Sequence, residues 1–199
     1  MIKVTAQEHY DLLADGGDDP VHDPAPLKEY MNKWDGEAFI RALCLDGTKS
    51  VLEIGPGTGR LAVRIAPLCG FYTGIDISPK TISRLEGNLS EYSHKSLICA
   101  DFLTYEFDKE FDVICSSLTF FHIKDKRRAV QKAKALLKAG GRLVLSISKD
   151  KSGELIYNER RVELFPDDMH QTEENLLHAG FKISGITETE LAYIFAALA

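Results

Sequence analysis

The chain has 199 residues, 44% hydrophobic and 27% charged, with a formal charge of −6, which is the profile of one globular domain with short elaborations. At this length roughly 70% of the unfolded surface can be buried, so no disulfide or structural metal is needed to hold a core. The acid excess opposes unassisted contact with phosphate backbones, the start MIKVTAQEHYDLLADGG is too polar for a secretory leader, and no apolar run approaches the ~18 residues of a membrane span; the expectation is a cytoplasmic protein with no nucleic-acid or membrane partner.

Residues 1–45 differ from the rest and are expected to form a helical lid, with the main domain over 46–199. Thr5–Leu13 is a short amphipathic helix; Leu27, Tyr30, Met31 and Trp34 make a second helical stripe at i, i+3, i+4, i+7; a third helix over Gly36–Leu45 turns Phe39, Ile40 and Leu43 inward. Between the first two, Asp15–Pro26 is rich in Asp, Gly and Pro, as in a hinge or loop. From Ser50 onward apolar runs alternate with helix-length segments. Strands are predicted at Ser50–Ile54, Tyr72–Ile75, Ser96–Cys99, Phe111–Cys115, Gly141–Ser148, Phe181–Glu188 and Leu191–Ala197. Helices are predicted at Arg60–Pro67, Pro79–Ser90, Lys126–Lys138 and Glu173–Ala179. Ser78-Pro79 has the form of an N-cap followed by a first-turn proline, and Gly140 and Gly180 are placed as helix stops. Strands spaced by helices imply an α/β, doubly wound, mostly parallel seven-stranded sheet with helices on both faces. The last two strands lie too close for a crossover and should pair as an antiparallel hairpin. Cys44, Cys69, Cys99 and Cys115 form no Cys-x-x-Cys pair and read as small buried thiols, not a zinc site or a disulfide frame.

The sharpest local signal is V-L-E-I-G-P-G-T-G-R-L-A over residues 51–62. A strand leads into Glu53, then Gly55, Gly57 and Gly59 turn the chain before a helix, where a missing Cβ lets a ligand press on backbone. A dinucleotide loop would need G-x-G-x-x-G, which places glycine where Arg60 stands; a phosphate-cradling P-loop would need Gly-Lys-Ser/Thr, which is absent. Asp76 ends the next strand, where a carboxylate can accept from two vicinal ribose hydroxyls; capping the following helix is the alternative role, for which Ser78 is better placed.

With these motifs in this order, the stretch from about Gly36 to Ala199 resembles the class I (Rossmann-like) S-adenosylmethionine-dependent methyltransferases. The resemblance implies S-adenosyl-L-methionine as cofactor and S-adenosyl-L-homocysteine as product. It implies that the loop of Gly55, Gly57 and Gly59 packs on the methionine and ribose portion, that Glu53 helps hold the ammonium group, and that Asp76 binds the ribose with Ile77 against adenine. Asp101 would accept from the adenine amine beside Phe102, and Ser116, Ser117 and Leu118 would lie near the methionine portion. It says nothing specific about the acceptor.

Thr119, Phe120 and His122 follow on the acceptor side. His122 is the candidate base, because its ordinary pKa is near neutrality; tying down the loop is the alternative role. Tyr10, Tyr30 and Trp34 are candidate acceptor-side aromatics able to offer cation–π attraction to a sulfonium, or else ordinary cover for the sheet. Arg160 and Arg161 could grip an anionic acceptor group or simply be solvated, and the basic run from Lys124 to Lys134 reads as an exposed helix face. No Asn-Pro-Pro-Tyr/Phe motif and no Pro-Cys pair follows the fourth strand, so a small-molecule acceptor is expected. A protein or RNA acceptor, or a non-catalytic cofactor-binding role, stands as the alternative. Whether the chain is a monomer or a homodimer is left open.

Overall fold

The computed structural model describes residues 1–199. In chain order the elements are β1 (Ile2–Val4), α1 (Ala6–Asp15), α2 (Ala25–Met31), α3 (Gly36–Leu43), β2 (Ser50–Ile54), α4 (Ala62–Ile65), β3 (Phe71–Asp76), α5 (Pro79–Asn88), β4 (Lys95–Cys99), β5 (Phe111–Ser117), α6 (Lys126–Leu136), β6 (Leu137–Ser148), β7 (Glu154–Tyr157), β8 (Arg160–Glu163), α7 (Met169–His178), β9 (Lys182–Glu188) and β10 (Ala192–Leu198). Short 3-10 turns follow α4 and span Phe120–His122. No helix is long and apolar enough to cross a membrane.

The main sheet has seven strands in the order β4-β3-β2-β5-β6-β10-β9. The first five pair in parallel, and β10 runs antiparallel to both β6 and β9. Alternation along each strand sends side chains to opposite faces. Leu52, Ile54, Ile114, Leu143, Leu145 and Phe195 pack on one face with Ala129, Val130 and Leu176 of α6 and α7. Val51, Val113, Cys115, Val144 and Ile194 pack on the other with Phe39, Leu43, Leu61, Ile65 and Leu85. At roughly 1.5–3 kcal/mol per fully buried large apolar side chain, these two layers carry the stability of the fold.

Ser78, Pro79 and Gly180 punctuate their helices as expected, whereas Gly140 falls inside β6, because α6 already ends at Leu136. The Ser78 side chain accepts from the Thr81 amide at 3.1 Å, with Pro79 at the start of α5. Gly180 adopts φ +83 just past α7. That helix begins earlier than its apolar pattern indicates, because Asp168 caps it by accepting from the Gln171 amide at 2.9 Å. The stretch predicted as one helix over Arg60–Pro67 is one α-turn and one 3-10 turn, since proline cannot continue an α-helical ladder.

Three departures matter for function. First, β8 pairs with both β1 (parallel) and β7 (antiparallel) in a separate three-stranded sheet. Strands of three or four residues, with charges at Glu154, Arg160, Arg161 and Glu163, are too short to stand out, even with Leu155, Ile156 and Tyr157 in β7. Second, α3 is core: Phe39 and Leu43 are fully buried against the main sheet, so only α1 and α2 of the N-terminal segment stand apart from it. Third, of the four cysteines only Cys69 and Cys115 are buried; Cys44 and Cys99 are exposed, Cys44 in a left-handed cap after α3.

Candidate functional site

At the carboxyl ends of β2, β3 and β5, where open α/β sheets place their ligands, lies a cavity of about 550 Å³. The chain leaves β2 through Gly55 and Gly57 at φ +71 and +58, a region where a Cβ is strained. A Cβ on Gly55 would lie 2.2 Å from Thr119 Oγ1, whereas one on Gly57 would meet nothing within 4 Å. Gly55 thus permits the loop after β5 to close in, and Gly57 leaves open space over backbone.

Glu53, Gly55, Gly57, Asp76, Ile77, Asp101, Phe102, Ser117 and Leu118 all line the cavity. Gly59 does not; its missing Cβ accommodates Leu85 of α5. Ser116 is buried and donates its hydroxyl to the Ile54 carbonyl at 2.8 Å, away from the cavity. Glu53 is 2% exposed and accepts from the Tyr72 hydroxyl at 2.7 Å; burial, partly opposed by that bond, pushes its pKa up to about 7. Asp76 accepts from the Gly57 and Ser78 amides, each at 3.0 Å, yet burial still holds its carboxyl above the usual range. Asp101 accepts from the Leu103 amide at 2.7 Å.

Beneath this side lies a network that sequence reasoning missed. Asp35 is 1% exposed. One Arg60 guanidinium nitrogen donates to its Oδ1 at 2.9 Å, the other donates to Oδ2, and the Ser117 hydroxyl donates to Oδ2 at 2.7 Å. Burial alone would raise the Asp35 pKa, but these donors and the Arg60 charge bring it below the ordinary value. Arg60 itself faces the cavity. The available signal was Asp35 directly before the helix at Gly36, in the position of an N-cap.

The far side of the cavity is built by α1, the loop beyond it, and residues 118–125, with Tyr10, Leu13, Asp18, Met31, Thr119 and His122 in the wall. Tyr10 Oη and His122 Nε2 are 2.9 Å apart, and His122 Nδ1 is buried without a partner. Burial first, then His9 and Lys126, lowers the His122 pKa to about 4, so the ring is neutral near pH 7. Burial, reinforced by Asp76 and Asp18, raises that of Tyr10. Thr119 donates to the carbonyl of Ser117 or Gly55, at 3.1 and 3.2 Å.

Five candidates lie elsewhere. Phe120 is 3% exposed within the core. Tyr30 and Trp34 stack edge-to-face on each other at 5.3 Å outside the cavity wall, which Met31 from the same helix joins instead. Arg160 lies over Tyr157 and reaches the His9 carbonyl, and Arg161 pairs with Glu154 at 3.3 Å. The run from Lys124 is not wholly an exposed face either: Lys126 is 8% exposed and pairs with buried Asp167 at 3.0 Å.

Residues 52–145 match the family model described as a methyltransferase domain. This match, over just under half of the chain, agrees with the resemblance to the class I S-adenosylmethionine-dependent methyltransferases. The chain is 31% identical over 110 residues to an uncharacterised methyltransferase of Mycobacterium tuberculosis, covering 55% of each chain. It is 29% identical over 138 residues to a glycine/sarcosine N-methyltransferase of Parasynechococcus marenigrum, covering 60% of this chain and 49% of that one. The chain therefore spans about half the length of these curated relatives. The N-methyltransferase NodS of Bradyrhizobium japonicum, solved in complex with S-adenosyl-l-homocysteine, has the same fold, with a TM-score of 0.70 at 19% identity over 95% of this chain and 97% of that one. The match at 52–145 takes in Glu53 through Leu118 and leaves out α1, the three-stranded sheet and Phe165, elements that build the other side of the cavity or brace it.

Proposed function

We propose that this chain binds S-adenosylmethionine and transfers its methyl group to a small-molecule acceptor held in the same cavity. The observation that carries the reading is the charge of the lining. Glu53, Asp76, Asp101, Asp18 and Asp125 face the cavity against two cations, Lys124 and Arg60, and Arg60 is bound to Asp35. Such a wall suits a donor bearing a sulfonium and an ammonium. The open backbone at Gly57 and the unpartnered hydroxyl of buried Thr58 fit a ligand lying along the loop.

In this reading Asp76 accepts from the ribose hydroxyls, Asp101 and the Phe102 amide meet adenine, and Ile77 covers its face. Glu53 meets the ammonium, and Ser117 and Leu118 border the methionine portion. When bound, the donor supplies an activated methyl group on sulfur, so the protein's task is alignment, a contribution of up to ~7–11 kcal/mol. Tyr10, Asp18, Met31, Thr119 and His122 shape the acceptor side, with Asp18 and His122 as its proton-accepting groups. Residues 1–34 serve as its cover. One cavity of about 550 Å³ has to hold both reactants, which supports a compact acceptor, and glycine/sarcosine N-methyltransferase among the relatives is named for one.

Calorimetry with S-adenosylhomocysteine tests donor binding, and release of the same product across a metabolite panel tests transfer. Micromolar uptake and turnover on a small acceptor are expected. No uptake at millimolar concentration would remove the proposal.

A further inference from the structure

The reading of His122 as a direct base meets a geometric obstacle. Its Nε2 is occupied by Tyr10 Oη at 2.9 Å, and its Nδ1 is shut away from solvent and partners alike. Neither nitrogen is free to touch an acceptor. Tyr10 is different: its hydroxyl meets His122 and its side chain lines the cavity on α1. The α1 backbone is fixed by Asp11 accepting from the Ser78 hydroxyl at 2.6 Å and by Arg84 donating to the Ala14 carbonyl at 3.0 Å, so Tyr10 is held in place.

We infer that Tyr10 is the catalytic residue that meets the acceptor, with His122 as its proton-accepting partner, and that the acceptor is an uncharged O–H or N–H compound. The inference rests on the methyltransferase reading above. A lone pair on the acceptor oxygen or nitrogen forms the new bond to carbon while the carbon–sulfur bond breaks, its electron pair staying on sulfur. The acceptor's proton passes to Tyr10 Oη as the phenol proton passes to His122 Nε2; once the product has left, the imidazolium returns its proton to Tyr10 Oη as the phenol gives its own to water entering the cavity. A thiolate or carboxylate acceptor brings no proton and would be indifferent to the pair. The resting state suits the relay: burial keeps both rings neutral, and a neutral imidazole carries one ring proton, which on Nδ1 leaves Nε2 to accept from Tyr10.

The test has one arm that needs no acceptor. Histidine-selective nitrogen NMR of the protein, free and with S-adenosylhomocysteine, should show His122 protonated at Nδ1 and unprotonated at Nε2; a proton on Nε2 overturns the relay. In the second arm, phenols and alcohols, then primary and secondary amines, are screened with labelled donor. On whichever class turns over, Tyr10→Phe should lower kcat about 100-fold or more, with KM and product affinity within twofold of wild type. His122→Gln should do likewise, and the double variant should be no slower than either, as for groups acting as a unit. Tyr10→Phe retaining more than a third of kcat, additive losses in the double variant, or turnover confined to thiols and carboxylates would each overturn it. Product binding with full kcat in Tyr10→Phe refutes the relay alone, whereas no product binding in the wild type refutes the donor reading beneath it.

Discussion

Replacing Lys126 with Met should destabilise the protein by about 3–5 kcal/mol, the usual cost of stripping one partner from a buried ion pair. The Lys126 ammonium, 8% exposed, pairs with Asp167 Oδ1 at 3.0 Å and donates to the Ile123 carbonyl at 3.2 Å and to the Phe120 carbonyl. Asp167 is 1% exposed, and no other side chain serves its carboxylate. Burial lowers the Lys126 pKa and raises that of Asp167, each opposed by the other's charge. In Lys126→Met the carboxylate stays behind without its cation. For a chain of this size the loss corresponds to a fall in Tm of about 6–20 °C. Lys126→Met/Asp167→Leu removes both charges and should recover most of that stability, because an apolar pair replaces an ion pair nearly neutrally. The two carbonyls bracket His122, so the double variant should fold yet turn over more slowly than wild type. Urea unfolding gives the energies and product release the rates. A single variant within about 1 kcal/mol of wild type, or a double variant as unstable as the single, would refute the argument.

Three further outcomes are expected. Gly55→Ala drives a Cβ to 2.2 Å from Thr119 Oγ1; it should cost about 1–3 kcal/mol of stability, and Thr119→Gly in the same chain should restore part of it, as read by thermal unfolding. Asp76→Ala should weaken S-adenosylhomocysteine binding by about 1–3 kcal/mol, the loss of hydrogen bonds to a buried acceptor; calorimetry showing unchanged affinity would count against its ribose role. Glu53, with a pKa of about 7, is mostly protonated below neutrality. A cationic ligand favours its ionised form, so binding releases a proton, and affinity should rise with pH through 7. At pH 6 only about a tenth of it is ionised, so the product should bind about tenfold more weakly than at pH 8. Glu53→Gln should flatten that profile.

Each main-sheet strand was visible in the sequence as a short stretch with apolar residues bounded by turn or helix-length segments, and one wall of the cavity because its residues sit just past strand ends. Across the cavity, Tyr10, Thr119 and His122 were legible one by one, but their pairings were not, because sequence distance hides them. Tyr10 and His122 are 112 positions apart, and Asp35 and Ser117 are 82. Tyr30 and Trp34 shared an amphipathic stripe with Met31, but a stripe does not say which of its members faces a cavity. Lys126 sat in a run of five charged residues in which nothing marks one as buried. The strands β1, β7 and β8, three or four residues each, are too short to register.

The pairing of β1 with β8 has a mechanical corollary. The Ile2 amide donates to the Glu159 carbonyl at 2.7 Å, so the leading edge of α1 is stitched to the excursion that follows β6. Swinging α1 outward to admit a reactant therefore shears a short ladder or drags the β7–β8 hairpin along. Cover and excursion are joined to each other there, and α1 is also tied to the main domain by the Asp11–Ser78 and Arg84–Ala14 bonds, so a substitution at Val4 or Val162, remote from the reacting atoms, should alter how fast the chamber exchanges its contents.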